Sequence, residues 1–466
     1  MIDIYLTNTQ ARKKEKFTPL KPSKVGIYSC GPTVYWNQHI GHMYAYTQWD
    51  ILVRFLRSAG YDVTWVMNIT DVGHMSSDED TGEDKMEKGA KREGISVWQI
   101  ADKYIEQFKD SIKLLNITPP DTLCRATEHI EDQIDLIKKI EAKGFTYKTK
   151  TGLVFDTSKF PGYADFARLD LLKQQAGARV EVDPEKKNPW DFLLWVTNQP
   201  AHLMQWDSPW GKGFPGWHIE CTAMSVKYLG ERFDVHTGGK EHIAVHHTDE
   251  IAQGYGAFGH QTANVWLHND WLTLKGEKIS KSLGNIITVQ DLLAKGYDPL
   301  ALRYLILNSN YRQGISFTWE ALDSAQTSLN NLREQVVSLK AQTQRTTLSQ
   351  EKGAKIDEYR DAFIKALADD LNVTKALATL WEMLKSNIPS IDKYDLALSF
   401  DEVLGLKIGE VNVVEIPDQV KKLVEKRETY RKEQDFAKSD EARKKINELG
   451  FTIEDASNGP KIKPIK

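Results

Sequence analysis

Cysteine is scarce in this chain of 466 residues, which holds only Cys30, Cys124 and Cys221. An odd and sparse set of cysteines cannot build the disulfide framework on which small secreted domains depend. The sequence therefore predicts a protein of a reducing compartment. With 41% hydrophobic residues the chain can form real cores, and its length suggests roughly three domains.

Long apolar runs are missing as well. No stretch of the chain offers the roughly 18 consecutive apolar residues of a membrane-spanning helix. The first residues, MIDIYLTNTQARKK, lack the apolar segment of a secretory signal peptide. We therefore expect a cytoplasmic protein with no membrane partner.

Neither sign of charge dominates, because 61 Lys and Arg residues face 65 Asp and Glu residues and the formal net charge is −4. This balance excludes a protein that binds nucleic acid with its whole surface. The stretch from residue 417 to the end is slightly basic, with 13 Lys and Arg against 10 Asp and Glu. That asymmetry fits a small appendage that touches a polyanion, and it fits a solvated helix at 420–449 equally well.

Strands and a helix alternate near the N-terminus. The runs at 25–30 and 61–69 are β-prone, and between them an amphipathic helical pattern at 41–59 ends at Gly60. Strand, helix and strand form a βαβ unit. We therefore expect a parallel sheet with its ligand site at the carboxyl ends of the strands.

The rest of the chain divides by pattern. The segment 76–94 is dense in charge and glycine, which predicts a solvated loop. Helical patterns follow at 98–115 and 128–143, and short strand-like pieces among polar residues at 145–200 predict an insertion. From residue 217 onward, alternating helix and strand patterns resume. From 319 to 408 the pattern is helical apart from one polar interruption, which predicts a helical bundle.

Two histidines lie where the first strand has ended and the first helix begins, in His39-Ile40-Gly41-His42. A helix N-terminus presents free N–H groups and positive potential, so imidazoles there can contact phosphate oxygens. Gly41 leaves room for a flat ring. The motif predicts a nucleotide site without a Walker loop. No G-x(4)-G-K-[ST] occurs, and the G-x-G-x-x-G match at 211–216 follows a loop and contains proline.

A second candidate is the segment Lys278-Ile279-Ser280-Lys281-Ser282, which is flanked by glycines. Two lysines and two hydroxyls in five residues form a cationic clamp suited to the charge that builds on a leaving pyrophosphate. Alone, such a segment is usually an exposed turn. Its combination with a His-x-x-His at a strand-to-helix junction is rare, and that combination indicates a function.

Soft metal ligands are scattered more widely. Cys30 ends the first strand and Cys221 closes the segment PGWHIEC. Downstream, His246 and Glu250 are four residues apart and so share one side of a helix. Two thiolates, an imidazole and a carboxylate form a plausible zinc set. A free cysteine is more often a small buried hydrophobe, and His246 could pair with His242 instead, so the residues alone leave the ligand set open.

Seven motifs in collinear order carry a resemblance to a known family. They are CGPTVY (30–35), HIGH (39–42), NITDV (68–72), PGWHIEC (215–221), HHTDEIAQ (246–253), KISKSLGN (278–285) and DPLALRYLIL (298–307). Through them the chain resembles the cysteinyl-tRNA synthetases, a family of class I aminoacyl-tRNA synthetases. The similarity spans residues 1 to about 325 and is weaker near the end.

The resemblance implies an α/β fold with a Rossmann-type parallel-sheet catalytic core. The two halves of this core fall at 1–120 and 201–318, and the second half carries the KISKS region. A connective insertion falls at 121–200 between them. An α-helical bundle at 319–410 and a small C-terminal anticodon-binding domain at 411–466 follow.

The resemblance also implies an activity, the ATP-dependent activation of L-cysteine to cysteinyl-adenylate and its transfer to the 3′-terminal adenosine of tRNA(Cys). ATP, L-cysteine and tRNA(Cys) are then the partners, Zn²⁺ and the Mg²⁺ of ATP are the cofactors, and we expect a monomer. Two alternatives share the core motifs. One is a tRNA-independent ligase that joins cysteine to an amino sugar, against which the region after residue 320 argues. The other is a non-catalytic tRNA-binding paralogue, against which the intact HIGH and KISKS motifs argue.

Roles are implied residue by residue. The implied zinc ligands are Cys30, Cys221, His246 and Glu250. The implied catalytic residues are His39, His42, Lys278 and Lys281, and the ATP site adds Gly41 and Ser280. The implied cysteine pocket holds Gly31, Thr70, Trp217 and Glu241. The chain departs from the family pattern at Gly73-His74 (an acidic pair in the family), Val196, Thr237 (glycine), Glu241 (aspartate), Ile279 (methionine) and Phe436 (tryptophan).

Overall fold

The structure is a computed structural model that describes residues 2–74, 84–169, 184–279, 284–340, 347–410, 417–456 and 459–464. The chain forms two compact units, Met1–Ile408 and Gly409–Lys466. None of the helices in these described stretches is long and apolar enough to cross a membrane.

The first unit contains most of the regular structure. Its strands are β1 (Tyr5–Asn8), β2 (Lys13–Lys16), β3 (Lys24–Ser29), β4 (Asp62–Ile69), β5 (Thr122–Arg125), β6 (Thr146–Lys148), β7 (Gly152–Phe155), β8 (Phe192–Thr197), β9 (Gly213–Pro215), β10 (Phe233–Gly239), β11 (Ala263–Asn269), β12 (Leu272–Leu274), β13 (Glu277–Lys278) and β14 (Ile315–Phe317). Its helices are α1 (Ile40–Ser58), α2 (Lys85–Glu93), α3 (Val97–Leu114), α4 (Ile130–Ala142), α5 (Trp217–Leu229), α6 (His246–Phe258), α7 (Val289–Ala294), α8 (Pro299–Leu307), α9 (Trp319–Lys340), α10 (Gln350–Ala368), α11 (Val373–Lys385) and α12 (Ser390–Leu404).

A parallel sheet of five strands lies at the centre of this unit, in the order β11-β10-β3-β4-β5. The strands β3 and β4 are adjacent, with Val25 opposite Val63 and Ser29 opposite Met67, and α1 connects them. The predicted βαβ unit and the α/β fold class are therefore confirmed. Because all five strands run the same way, their carboxyl ends meet at one edge of the sheet.

The helix α1 covers part of the sheet with one apolar side. Trp49 and Phe55 are each 1% exposed and belong to the same hydrophobic cluster as Ile27 of β3 and Trp65 of β4. Burial of side chains of this size stabilises the fold by about 1.5–3 kcal/mol each. The chain turns after the helix at Gly60, whose φ of 91° favours glycine.

The prediction of a solvated loop at 76–94 is wrong for residues 85–93, which form α2. Asp84 caps the helix by accepting a hydrogen bond from the backbone N–H of Glu87 at 2.8 Å. Met86 and Ala90 are buried against α3. Two apolar side chains four positions apart suffice to bury this helix, although the residues around them are charged. Residues 76–83 lie outside the described part of the chain.

The segment predicted as an insertion, 121–200, contributes β6, β7 and β8 to an antiparallel sheet of the order β6-β7-β8-β9, whose last strand lies beyond residue 200. The rings of Phe155 and Phe192 stack across β7 and β8 with centroids 5.0 Å apart. Two smaller pairings complete the unit, β1 with β2 and β13-β12-β14.

The helical pattern at 319–408 is confirmed in the described residues, where α9 to α12 follow one another. Their buried side chains, such as Leu329, Leu380 and Phe400, join the cluster that contains the core of α1.

The second unit does not contain the single solvated helix that 420–449 suggested. Its elements are α13 (Asp418–Lys432), α14 (Phe436–Glu448), β15 (Phe451–Ala456) and β16 (Gly459–Pro464). The chain breaks between the helices at Gln434, whose φ is 61°. Val420, Ile446 and Ile453 form the centre of a small hydrophobic cluster, so this unit has a core of its own.

Candidate active site and metal centre

A cavity of about 900 Å³ opens at the carboxyl edge of the parallel sheet. The residues that follow β3, β4 and β10 line it, together with the first turns of α1, α5 and α6. Most residues predicted for the ATP, cysteine and metal sites therefore meet in one place. Those that line the cavity are Cys30, Gly31, His39, Gly41, His42, Thr70, Trp217, Cys221, Glu241 and His246.

The histidines of the HIGH motif begin α1. The Nδ1 atom of His39 accepts the backbone N–H of Gly41 at 3.1 Å, and the Nδ1 atom of His42 accepts the backbone N–H of His39 at 3.2 Å. The two rings stack with centroids 3.7 Å apart. Because both Nδ1 atoms are acceptors, a neutral ring carries its proton on Nε2 and presents an N–H donor there. A Cβ at residue 41 would lie 2.9 Å from the ring of His39, so glycine permits this cap.

The KISKS segment reaches the same cavity. Ile279 is buried and lines it. Downstream, the carbonyl of Ile287 accepts the first backbone N–H of α1 at 2.9 Å, which ties the segment to the HIGH motif. Lys278 is the last residue of β13, and Ser280 and Lys281 lie outside the described part of the chain.

The four residues predicted as metal ligands converge beside the cavity. The sulfurs of Cys30 and Cys221, a ring nitrogen of His246 and a carboxylate oxygen of Glu250 all lie within 4.8 Å of one another. Cys30 follows β3, Cys221 belongs to α5, and the other two lie one turn apart on α6. Three elements that are distant in sequence thus direct their donor atoms to one point.

The environment of this group fits a cation. Glu250 is fully buried, and its Oε1 lies 3.0 Å from Nε2 of His246 without the alignment of a hydrogen bond. Although burial opposes it, the imidazoles of His236 and His246 lower the pKa of Glu250 to about 2. Oε2 of Glu250 already lies 2.9 Å from Nε2 of His236, and a metal ion would give Oε1 a partner. Two sulfurs with one nitrogen and one oxygen suit a thiophilic divalent ion.

The thiols of the group hold their protons in the metal-free protein. Burial raises the pKa of Cys30. The pKa of Cys221 is raised well above its usual value, chiefly by the contact with Cys30 and secondly by burial. Because thiolates rather than thiols bind metals, metal binding here would release protons, and its affinity would rise with pH.

The alternative ligand His242 is not part of any convergent group among the described residues. Its ring lies 5.2 Å from that of His246 and 5.2 Å from that of His247. Burial lowers its pKa to about 4, so the ring is neutral near pH 7. The geometry favours His246 over His242 as the ligand beside Glu250.

Sequence reasoning missed a layer of buried histidines behind the metal ligands. His247 contacts Sγ of Cys30 at 3.3 Å and Nε2 of His268 at 2.7 Å, and His218 contacts Nδ1 of His246 at 2.8 Å. Burial lowers the pKa of His218, His247 and His268 well below the usual range, so these rings are neutral. The signal for two of them was present, since His218 and His247 lie inside the quoted motifs.

Two residues predicted for the cysteine pocket are held tightly. The backbone N–H of Gly31 donates to Oδ1 of Asn68 at 2.8 Å, and a Cβ at residue 31 would lie 1.7 Å from the backbone oxygen of Asn68. Glycine is therefore the residue that this close approach allows. The hydroxyl of Thr70 donates to Oε2 of Glu220 at 2.9 Å. Glu220 is fully buried, and the sequence assigned it no role.

The other two pocket residues are Trp217 and Glu241. The Oε2 atom of Glu241 accepts the indole N–H of Trp271 at 2.7 Å, which fixes its carboxylate at the cavity wall. Lys85 of α2 places its Nζ 4.7 Å from the centre of the Trp217 ring. Lys85 and Lys88 both line the cavity. They were missed because their segment was predicted as a solvated loop.

Comparison with known proteins agrees with this arrangement. Residues 16–327 match the family described as "tRNA synthetases class I (C) catalytic domain". Among curated proteins, a "Cysteine--tRNA ligase" of Treponema denticola is 42% identical over 97% of this chain and 98% of its own length. A "Cysteine--tRNA ligase 1" of Burkholderia lata is 45% identical over 98% of this chain and 96% of its own length.

The chain belongs to the cysteinyl-tRNA synthetase family. Its fold is also found in a solved methionyl-tRNA synthetase of Mycobacterium tuberculosis in complex with methionyl-adenylate. That structure aligns with a TM-score of 0.56 and 18% identity, covering 82% of this chain and 90% of its own.

Two departures from the cysteinyl-tRNA synthetase pattern have a structural explanation. Thr237 bonds to the hydroxyl of Ser29 at 2.7 Å, and this contact joins β10 to β3. At Gly73, a Cβ would lie 1.8 Å from Oδ2 of Asp84. The position of Asp84 therefore leaves no room for a larger residue at position 73. Nothing in the structure explains the departure at Val196.

Proposed function

We propose that this protein activates L-cysteine with ATP to form cysteinyl-adenylate and transfers the cysteinyl group to the 3′-terminal adenosine of tRNA(Cys). The observation that carries the proposal is the convergence of Cys30, Cys221, His246 and Glu250 beside the cavity that the HIGH histidines line. A thiophilic metal centre and a phosphate-binding helix end in one cavity suit a substrate thiol and a nucleotide together. Similarity to cysteine–tRNA ligases over nearly the whole chain supports the same activity.

The metal of this site is proposed to be Zn²⁺, one per chain, held by Cys30, Cys221, His246 and Glu250. The donor set has the composition of zinc sites in proteins. Held by these four residues, zinc would supply a thiophilic site, and such a site would favour cysteine over serine because the two amino acids differ only in sulfur for oxygen. The layer of neutral histidines behind the ligands would hold their orientation.

The activation step rests on positioning and on electrostatics. The Nε2–H donors of His39 and His42 lie at the positive end of α1, where the α-phosphate of ATP would be bound and its developing charge stabilised. Gly41 leaves the space for the nucleotide. The substrate carboxylate then attacks the α-phosphorus in line, and pyrophosphate leaves with Mg²⁺. No side chain needs to act as a covalent nucleophile.

The amino acid is proposed to lie against Gly31, Thr70, Trp217 and Glu241. The Glu241 carboxylate at the cavity wall is the group available for the substrate ammonium. Its fixed bond to Trp271 keeps it in place, so a glutamate can serve where the family has an aspartate.

The domain organisation is part of the same proposal. The halves of the catalytic core at 1–120 and 201–318 enclose the insertion at 121–200, and the bundle at 319–410 precedes the anticodon-binding domain at 411–466. The slightly basic stretch from residue 417 to the end, with 13 Lys and Arg against 10 Asp and Glu, suits a tRNA contact. We propose a monomer that acts in the cytoplasm, where charged tRNA is used.

The proposed activity is tested by charging tRNA(Cys) with L-cysteine and with L-serine, using the full chain. We expect a preference for cysteine on the order of 10⁴-fold without an editing step. Dialysis against a zinc chelator should abolish charging, and Zn²⁺ but not Mg²⁺ should restore it. Equal charging with serine would refute the metal selection. Transfer of cysteine to an amino sugar without any charging of tRNA would refute the assigned acceptor.

Substitution of the second clamp lysine tests the activation step. Lys281→Ala should slow cysteine-dependent ATP–pyrophosphate exchange by roughly 10²-fold, which is the scale of a lost transition-state contact. Lys295→Ala is the matched control, because Lys295 is an exposed lysine that does not line the cavity. The control should exchange at the wild-type rate. Exchange at full rate in Lys281→Ala would remove this residue from the mechanism.

A further inference from the structure

A chain of hydrogen bonds runs behind the wall of the cavity. The backbone N–H of Gly31 donates to Oδ1 of Asn68 at 2.8 Å, and Nδ2 of Asn68 donates to Oγ1 of Thr70 at 3.1 Å. The hydroxyl of Thr70 donates to Oε2 of Glu220 at 2.9 Å. The other oxygen of Glu220 lies 2.5 Å from Nε2 of His74. The four side chains are nearly or fully buried, so these hydrogen bonds are shielded from water.

The directions of the three hydrogen bonds from Gly31 to Glu220 are determined. Oγ1 of Thr70 accepts from Asn68 and donates its single proton to Glu220, so its rotamer is fixed from both sides. Glu220 can keep Oε2 in place only while its carboxylate cannot rotate. His74 provides that restraint, because it holds Oε1 while Thr70 holds Oε2. Loss of either partner would leave a buried carboxylate incompletely paired.

Two members of this hydrogen-bonded chain are adjacent in sequence to candidate metal ligands. Gly31 follows Cys30, and Glu220 precedes Cys221. The ring of His74 also lies 6.2 Å from that of Trp217, another cavity residue. His74 therefore bonds to Glu220, which bonds to Thr70, and it also lies beside the ring of Trp217.

His74 is itself firmly placed. Its backbone carbonyl accepts the N–H of Lys85, the first residue of α2, at 2.9 Å. On the other side, the backbone oxygen of Gly73 accepts from Nε2 of His202 at 3.2 Å. His202 is in turn 2.6 Å from Asp84. The pair Gly73-His74, which departs from the family pattern, is thus held in place behind the wall of the pocket.

We propose that His74 is a positioning residue of the cysteine pocket, which acts through Glu220 on Thr70 and so sets the affinity for the amino acid. The inference rests on the proposed function, because Thr70 is taken to contact the substrate. His74 does not line the cavity, and its hydrogen bonds lead through Glu220 to Thr70 and not to the HIGH histidines. Its removal should therefore raise KM for cysteine and leave KM for ATP unchanged.

The test is a double-mutant cycle on the zinc-loaded full chain. His74→Ala and Thr70→Val should each raise KM for cysteine about tenfold in ATP–pyrophosphate exchange, the scale of a lost hydrogen bond to a charged group. Because both act on the same contact, the double variant should also show about tenfold rather than 100-fold. His74→Gln keeps a side-chain N–H donor and should recover most of the loss.

The matched control is His129→Ala. His129 is also buried, and its ring nitrogens contact the carbonyl of Arg125 at 2.6 Å and the hydroxyl of Tyr228 at 2.8 Å. It does not line the cavity. This variant should lower the melting temperature yet keep the wild-type KM for cysteine. Combined with Thr70→Val, it should leave the roughly tenfold rise in KM caused by that substitution unchanged.

The outcomes separate this inference from the proposed function. If the wild-type protein shows no cysteine-dependent exchange, the proposed function fails. If the wild type is active and His74→Ala keeps its KM for cysteine, or combines multiplicatively with Thr70→Val, the positioning role is wrong. An equal rise of KM for ATP and cysteine would also overturn it, since that result describes general damage. Calorimetric titration with cysteine alone measures the Kd for cysteine, so it compares the wild type and the variants without turnover.

Discussion

Replacing Cys221 with serine is expected to reduce cysteine-dependent ATP–pyrophosphate exchange by roughly 10³-fold or more. A hydroxyl is a far weaker ligand than a thiolate for a thiophilic ion, and even the loss of an outer partner of a metal ligand costs about 10–100-fold. Cys221 lies in α5 within 4.8 Å of the other three donors. The substitution therefore removes one of the four proposed ligands without changing the size of the side chain appreciably.

Binding of ATP should survive this change, because the HIGH histidines are held by the backbone of α1 and not by the metal group. We expect a wild-type Kd for ATP, a metal content well below one per chain, and loss of discrimination between cysteine and serine. Metal analysis and equilibrium binding measure these quantities directly.

Cys124→Ser is the control for Cys221→Ser. Cys124 is also buried, at 2% exposed, and its sulfur contacts the carbonyl of Met67 at 3.5 Å, outside the metal group. This variant should lose some stability but keep its metal and its activity. If Cys221→Ser retained the wild-type affinity for cysteine, the metal site would have no part in substrate selection.

Local sequence pattern predicts some elements of this fold and misses others. Local pattern was enough for β3, α1 and β4, because apolar periodicity and Gly60 are properties of adjacent residues. It failed at α2, where two buried apolar residues are outnumbered by charges. It failed again at Gln434, where a left-handed backbone at a non-glycine residue ends α13.

The candidate site was predictable wherever a motif is contiguous. His39 and His42 cap a helix through atoms three residues apart at most. The contact between His74 and Glu220 joins residues 146 positions apart, and that between Cys30 and His247 joins residues 217 positions apart. Such contacts depend on the order of strands in the sheet. No pattern in a single sequence determines them, so they had to be read from the fold.

A second large effect is expected at Arg303 of α8, which does not line the cavity. This side chain is fully buried, and its Nη2 lies 2.6 Å from Oδ2 of Asp50 in α1. Its other nitrogens donate to the carbonyls of Leu404 and Leu115, at 2.7 and 3.1 Å. Gly405 makes room for it, since a Cβ there would lie 2.7 Å from the guanidinium. One residue thus links α1, the end of α3 and the end of α12.

Arg303→Met should destabilise the first unit by about 3 kcal/mol. Breaking a buried ion pair costs about 3–5 kcal/mol because one charge is left without its partner, but Asp50 keeps Arg54 at 2.8 Å, so the lower end applies. Urea unfolding followed by tryptophan fluorescence measures the loss. Arg360→Met is the control, because Arg360 pairs with Asp357 on an exposed helix surface and such pairs contribute about 0–1 kcal/mol. Equal, small effects of the two substitutions would show that the Arg303 network contributes no more to stability than a surface ion pair.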